Sequence, residues 1–81
     1  MSYQGTVTGP QSLGRIVQQA RLQLGLTQRE LAEQLGTTQR YIWEIEAGKP
    51  SIYTERLFAV MRATGVTLTA SIPDGQDGDD A

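Results

Sequence analysis

Apolar residues recur along this chain with two different periods, and the change of period divides it. Leu13, Ile16, Val17, Ala20 and Leu24 follow the i, i+3, i+4, i+7 spacing of one helical face. Ser12 is a good N-cap, and Gly25 suits the left-handed position that ends a helix. A first helix is therefore expected over residues 12–24. A second starts sharply at Thr27-Gln28-Arg29-Glu30, a capping box in which Thr27 and Glu30 satisfy each other's backbone donors. Leu26 and Leu31 bracket it as a hydrophobic staple. Leu31, Ala32 and Leu35 form its apolar stripe, and Gly36 ends it. A third helix runs from Thr37 or Thr38 to about Glu46. Its apolar positions are few, Ile42 and Ile45, while Gln39, Arg40, Trp43 and Glu44 point elsewhere. A helix with so narrow an apolar face packs poorly by itself. Gly48 and Lys49-Pro50 close it. A fourth, capped by Thr54 or Ser51, covers residues 55–64, with Leu57, Val60, Met61 and Thr64 inward and Phe58 flanking.

After Gly65 the period becomes two. Val66, Leu68, Ala70 and Ile72 alternate with Thr67, Thr69 and Ser71, the pattern of a half-buried strand. Residues 1–11 contain Gly5, Gly9 and Pro10, no charge and no helical period. They are expected to form a flexible or loosely docked arm, with a short strand around Thr6, Val7 and Thr8 as the weaker alternative. A lone strand leaves its backbone groups unpaired. Its simplest partner is the same strand of a second copy, antiparallel about a two-fold axis. Val66, Leu68, Ala70 and Ile72 then become a dimerisation surface, and the rival partner is the N-terminal segment.

Composition narrows the chemistry. With 81 residues and 38% apolar content, one small domain is expected, over residues 12–72. There is no cysteine and no histidine, which removes disulfides, thiolate zinc sites and imidazole catalysis. The acids lie on wet helix faces or in the tail, and Gly5, Gly9 and Gly14 do not form a phosphate loop. No enzyme, metal or cofactor is expected. No apolar run is long enough to span a bilayer, and a cytoplasmic location is the default. The net charge is −2, but Asp74, Asp77, Asp79 and Asp80 all fall in residues 73–81. Residues 1–72 keep all seven bases and five acids, a net of +2. The acidic tail is expected to be disordered, and the folded part is mildly basic, which permits a polyanionic partner.

Two helices joined through Gly36 fit a helix-turn-helix, whose second helix lies in the DNA major groove. Gln39 can bond bidentate to adenine and Arg40 to guanine O6 and N7. The N-terminus of the second helix, with Thr27 and Gln28, can bind a phosphate through its N–H groups and dipole. Thr38 holds the same place on the third helix, and Lys49 suits a further phosphate. Trp43 suits either a thymine methyl or sugar–phosphate contact, or packing on a neighbouring helix. Tyr41 is similar, with its hydroxyl suited to phosphate. Arg15 and Arg29 are read as solvated charges.

The run GLTQRELAEQLGTTQRYIWEIEAGK resembles the helix-turn-helix of lambdoid phage repressors and Cro proteins, the XRE-type family. The resemblance implies a mainly α, lambda-repressor-like fold of four to five helices. It implies that Gln28 contacts phosphate and braces Gln39, and that Gln39, Arg40 and Glu44 face the bases. Trp43 is counted beside them as a base contact on its own residue type, with packing on a neighbouring helix as its alternative. Thr27, Thr38, Tyr41 and Lys49 then serve the backbone, and Arg21 pairs with Glu46 to hold the reading helix. The ending GKPS…LFAVMRATGVTLTASI is similar to HipB-like antitoxins of type II toxin–antitoxin modules. That likeness implies a homodimer through the C-terminal strand, a pseudo-palindromic operator, autorepression, and a HipA-like kinase toxin as partner.

Overall fold

The first described element is a strand. The computed structural model describes residues 3–73, so the acidic tail beyond Pro73 lies outside them. The order is β1 (Tyr3–Val7), α1 (Pro10–Gln23), α2 (Gln28–Leu35), α3 (Gln39–Ala47), α4 (Ile52–Thr64) and β2 (Leu68–Ile72). β1 and β2 pair antiparallel, with Tyr3 opposite Ile72 and Val7 opposite Leu68. This corrects the expected arm: from Tyr3 onward it is a paired strand leading into α1. It also removes the premise of a lone C-terminal strand, because the rival partner is the one that β2 takes. β1 carries no clear alternation (Tyr-Gln-Gly-Thr-Val), so its extended form depends on the ladder rather than on its own pattern.

The core forms between the sheet, α1 and the Phe58 side of α4. Val7, Ile16, Phe58 and Ile72 are buried together, and Leu13, Ala20, Met61 and Ala70 pack against them. Ala32 and Ile42 are buried where α3 meets its neighbours.

Caps set the helix boundaries. α1 starts two residues earlier than Ser12 suggests, because Pro10 takes the first turn, where its missing N–H is no loss. Ser12 sits inside that turn, and its hydroxyl accepts from the amides of Thr8 and Gly9. Thr27 and Glu30 close the capping box of α2, at 3.0 and 2.8 Å. Thr38 caps α3, accepting from the Tyr41 amide at 3.1 Å. Ser51 caps α4, and Thr54 reaches back to the Ser51 amide, so the two candidate caps act as a pair. Gly36, at φ +70°, turns the chain between α2 and α3.

Five side chains expected inside are outside. Leu24, Leu35, Leu57, Val60 and Thr64 are all exposed. Leu24 and Leu35 end their helices, where the neighbouring elements stop covering them. α4 is rolled so that Phe58, the largest apolar side chain on it, enters the core with Met61, and Leu57 and Val60 are turned out.

Gly14 is the closest approach between helices. A Cβ there would lie 2.4 Å from the Ile45 carbonyl oxygen and 2.7 Å from that of Glu46. Alanine gains up to about 1 kcal/mol in helix propensity over glycine. The backbone shift needed to relieve such a clash costs about 1–3 kcal/mol. Gly14→Ala is therefore expected to be net destabilising, seen as a lower urea midpoint with an unchanged slope.

Candidate nucleic-acid interface

α3 is held by polar contacts because its apolar face is narrow. Ile42 is fully buried and Ile45 half-buried. The rest of the anchorage falls to Glu46, itself buried. Its Oε2 accepts from Arg21 Nε at 2.5 Å and its Oε1 from Arg21 Nη2 at 3.0 Å, the bidentate fork of guanidinium on carboxylate. Arg21 Nη1 also donates to the Leu26 carbonyl at 2.7 Å, tying the same side chain to the loop before α2. The pair expected from the resemblance is therefore present.

Burial raises the proton affinity of the Glu46 carboxyl, but the bonds from Arg21 and Gln28 and the charge of Arg21 outweigh it. The net result lies below the ordinary glutamate value. Bonding to Glu46 and its charge hold the Arg21 guanidinium above its ordinary value against the opposing effect of burial.

Gln28 joins this pair to the outer surface. Its Nε2 donates to Glu46 Oε1 at 2.9 Å. That bond was not expected, since the sequence reading gave Gln28 to phosphate and to Gln39 only. Spacing offers a partial signal. Gln28 is the first residue of α2 and Glu46 lies near the end of α3, so an antiparallel-like turn brings them level.

Gln28, Gln39, Arg40, Trp43 and Lys49 line one open concavity of about 510 Å³. Five of the nine residues assigned to bases or phosphates thus meet on one surface, drawn from α2, α3 and the turn after α3. Trp43 is 49% exposed, so its ring is half covered and half open. Lys49 Nζ lies 5.9 Å from the ring centroid, within cation–π range.

Glu44 stands beside this surface, bonded to Arg40 (Nε to Oε2, 3.2 Å). Thr27 and Thr38 do not line the concavity. They sit at the two helix starts, where their hydroxyls already accept backbone bonds. Tyr41 is exposed outside the concavity. The expected dimerisation residues divide: Ile72 is buried in the chain's own core and Ala70 packs against it, while Val66 and Leu68 remain exposed. Among the described residues no cluster of acids could hold a metal.

A helix-turn-helix family model matches residues 17–70, about two-thirds of the chain. The chain belongs to the XRE-type helix-turn-helix family. It is a DNA-binding transcriptional regulator with a mainly α fold and one small antiparallel sheet. No solved structure matches it. The matched span takes in α2, α3 and α4 and reaches into β2, so all five residues of the concavity fall within the family's domain. No helix among the described residues is long and apolar enough to cross a membrane.

The ion pair predicts a pH dependence. Because the Glu46 pKa is lowered by folding, its stabilisation is full above the unfolded value of about 4.3 and is lost as pH falls through the folded value. Wild-type melting temperature should therefore drop on acidification below about pH 4.3, and Glu46→Gln should flatten that part of the profile. At neutral pH, Arg21→Ala leaves a buried carboxylate alone and is expected to cost about 3–5 kcal/mol in denaturant unfolding.

Proposed function

We propose that the protein is a sequence-specific repressor that reads a pseudo-palindromic operator as a homodimer, with α3 in the major groove. The observation that carries this is the convergence of Gln28, Gln39, Arg40, Trp43 and Lys49 on one concave face. A duplex presents base edges flanked by phosphates, and these residues match that order. Gln39, Arg40 and Trp43 lie on α3 for the bases, with the glutamine suited to adenine and the arginine to guanine, and Glu44 stands beside them bonded to Arg40. Gln28 and Lys49 flank them for phosphates, with Thr27, Thr38 and Tyr41 at the margins. Gln28, already fixed by Glu46, braces Gln39 when the duplex is seated.

A second copy is supported by α4. Ile52 is 74% and Tyr53 75% exposed, and Leu57 and Val60 extend the same apolar surface. Monomers rarely leave such patches open beyond a few hundred Å². An isologous contact covers both patches at once and sets two reading helices about the axis. The half-sites are then spaced by about one helical turn, roughly 34–36 Å, or a multiple of it. Val66, just before β2, and Leu68, at its start, are also exposed and join the proposed interface in place of the full strand face.

The finer assignment is an autorepressing antitoxin of a HipB-like module, with a HipA-like kinase toxin as partner, acting in the cytoplasm. The resemblance in element order supports it: α4 runs directly through Gly65 to a strand, with no fifth helix among the described residues. An adjacent gene for a kinase-like protein that co-purifies with this chain is the expected result. If that neighbour is missing, the protein is a stand-alone repressor.

Two measurements test the core reading. Gln39→Ala with Arg40→Ala should abolish binding to a duplex selected from random DNA, with helicity and oligomeric state unchanged. Retained binding at moderate salt would show that α3 is not the reading helix. In sedimentation, Leu57→Glu with Val60→Glu should convert dimer to monomer and weaken operator binding by at least tenfold, because the second module's contribution is lost. An unchanged dimer would place the interface elsewhere.

A further inference from the structure

Arg40 and Glu44 stand one turn apart on the side of α3 turned away from the buried Ile42. Glu44 puts a carboxylate on the face that approaches a polyanion. An unpaired acid there would weaken binding to every sequence. This acid is paired: Glu44 Oε2 accepts from Arg40 Nε at 3.2 Å. The arginine side chain is 80% exposed, and among the described residues its salt bridge is to Glu44 alone. Such an exposed i, i+4 pair adds little to fold stability. Its larger effect is on what Arg40 can present.

Guanidinium has five donors in one plane, and Glu44 occupies the one on Nε. The side-on fork formed by Nε and one Nη is thereby blocked, and the end-on fork of the two Nη atoms is left facing outward. Guanine offers two acceptors, O6 and N7, on its major-groove edge. Adenine offers N7 beside a donor, and so cannot accept both bonds. Holding Nε also restricts in advance a long side chain that would otherwise lose rotamer freedom on binding.

We propose that Glu44 is a positioning residue that aims Arg40 end-on at a guanine, and so sets the specificity of one operator position without touching a base. The inference rests on the reading of α3 as the base-contacting helix. It deepens that reading by naming the base and the residue that enforces it.

The test uses the full chain and its variants Arg40→Ala, Glu44→Ala and Glu44→Gln. Each is taken through selection from random duplex DNA, then titrated against the selected site and all its single-position substitutions. Arg40→Ala should flatten one guanine position, by about 10- to 100-fold in relative affinity for a lost bidentate contact. Glu44→Ala should relax that same position by roughly three- to tenfold, a fraction of the bidentate discrimination. It should leave the other positions unchanged and bind the guanine-substituted site as well as wild type or better. Glu44→Gln keeps an acceptor oxygen for Nε and should retain most of the preference.

Four outcomes overturn the proposal. Wild-type guanine preference in Glu44→Ala would make the pair a solvated surface contact. Relaxation at a different position would mean that Glu44 itself reads a base, as a carboxylate accepting from cytosine N4 does. No guanine loss in Arg40→Ala, with a motif still selected by wild type, removes the aimed arginine but leaves α3 as the reading helix. If wild type selects no motif, the base-contacting reading fails and this inference fails with it.

Discussion

The buried pair of Arg21 and Glu46 is the constraint on which the polar concavity depends. One carboxylate ties three helices together: it sits on α3, is forked by an arginine of α1, and accepts from the first residue of α2. Apolar packing alone offers α3 little more than Ile42 and half of Ile45. Burying two charges is not an efficient way to gain stability, since apolar replacements of similar size often do as well or better. Directionality is what the ions add. A greasy contact tolerates sliding along a helix, whereas a fork on a carboxylate tolerates neither rotation nor a shift of one residue. The same oxygen that fixes α3 also fixes the amide of Gln28 at the edge of the concavity.

Much of this was legible from the chain because local chemistry and tertiary role agree in the middle of it. The capping box at Thr27, the cap at Thr38 and the left-handed glycine at position 36 define α2, the turn and α3 without reference to the remainder. The ends were harder. β1 has one strongly apolar residue in the core, Val7, and a glycine at its centre, so only its partner makes it a strand. The roll of α4 was obscured because apolar residues occur around most of its circumference, and period alone cannot choose which arc goes inward. Size decided it: Phe58 fills the space between α1 and the sheet, and Leu57 and Val60 follow outward. In the site, residue types pointed to polar side chains of which five meet in one concavity, but the bonds from Gln28 to Glu46 and from Glu44 to Arg40 needed coordinates. Side chains several bonds long reach many partners, and sequence spacing does not choose among them.

Two surfaces of opposite character stand on the described chain. One is the polar concavity around Arg40 and Trp43, and the other is the largely apolar side of α4 formed by Ile52, Tyr53, Leu57 and Val60. α4 leaves the turn at Lys49 and Pro50, immediately after the last residue of the concavity. A short, proline-stiffened connection thus links the two surfaces.

The sheet has a mechanical consequence. Tyr3 and Ile72 are register partners, so a pull on the two ends of the described chain opens the ladder at its outermost pair. Hydrogen bonds loaded in that way break one after another, and none shares the load with the next. The first step draws Ile72 out of the core, and the last draws out Val7 and strips Phe58 of its cover. A processive unfolding machine that grips either terminus would thus meet little initial resistance. The packing of α1 and α4 on the sheet would be lost before any helix is itself pulled apart.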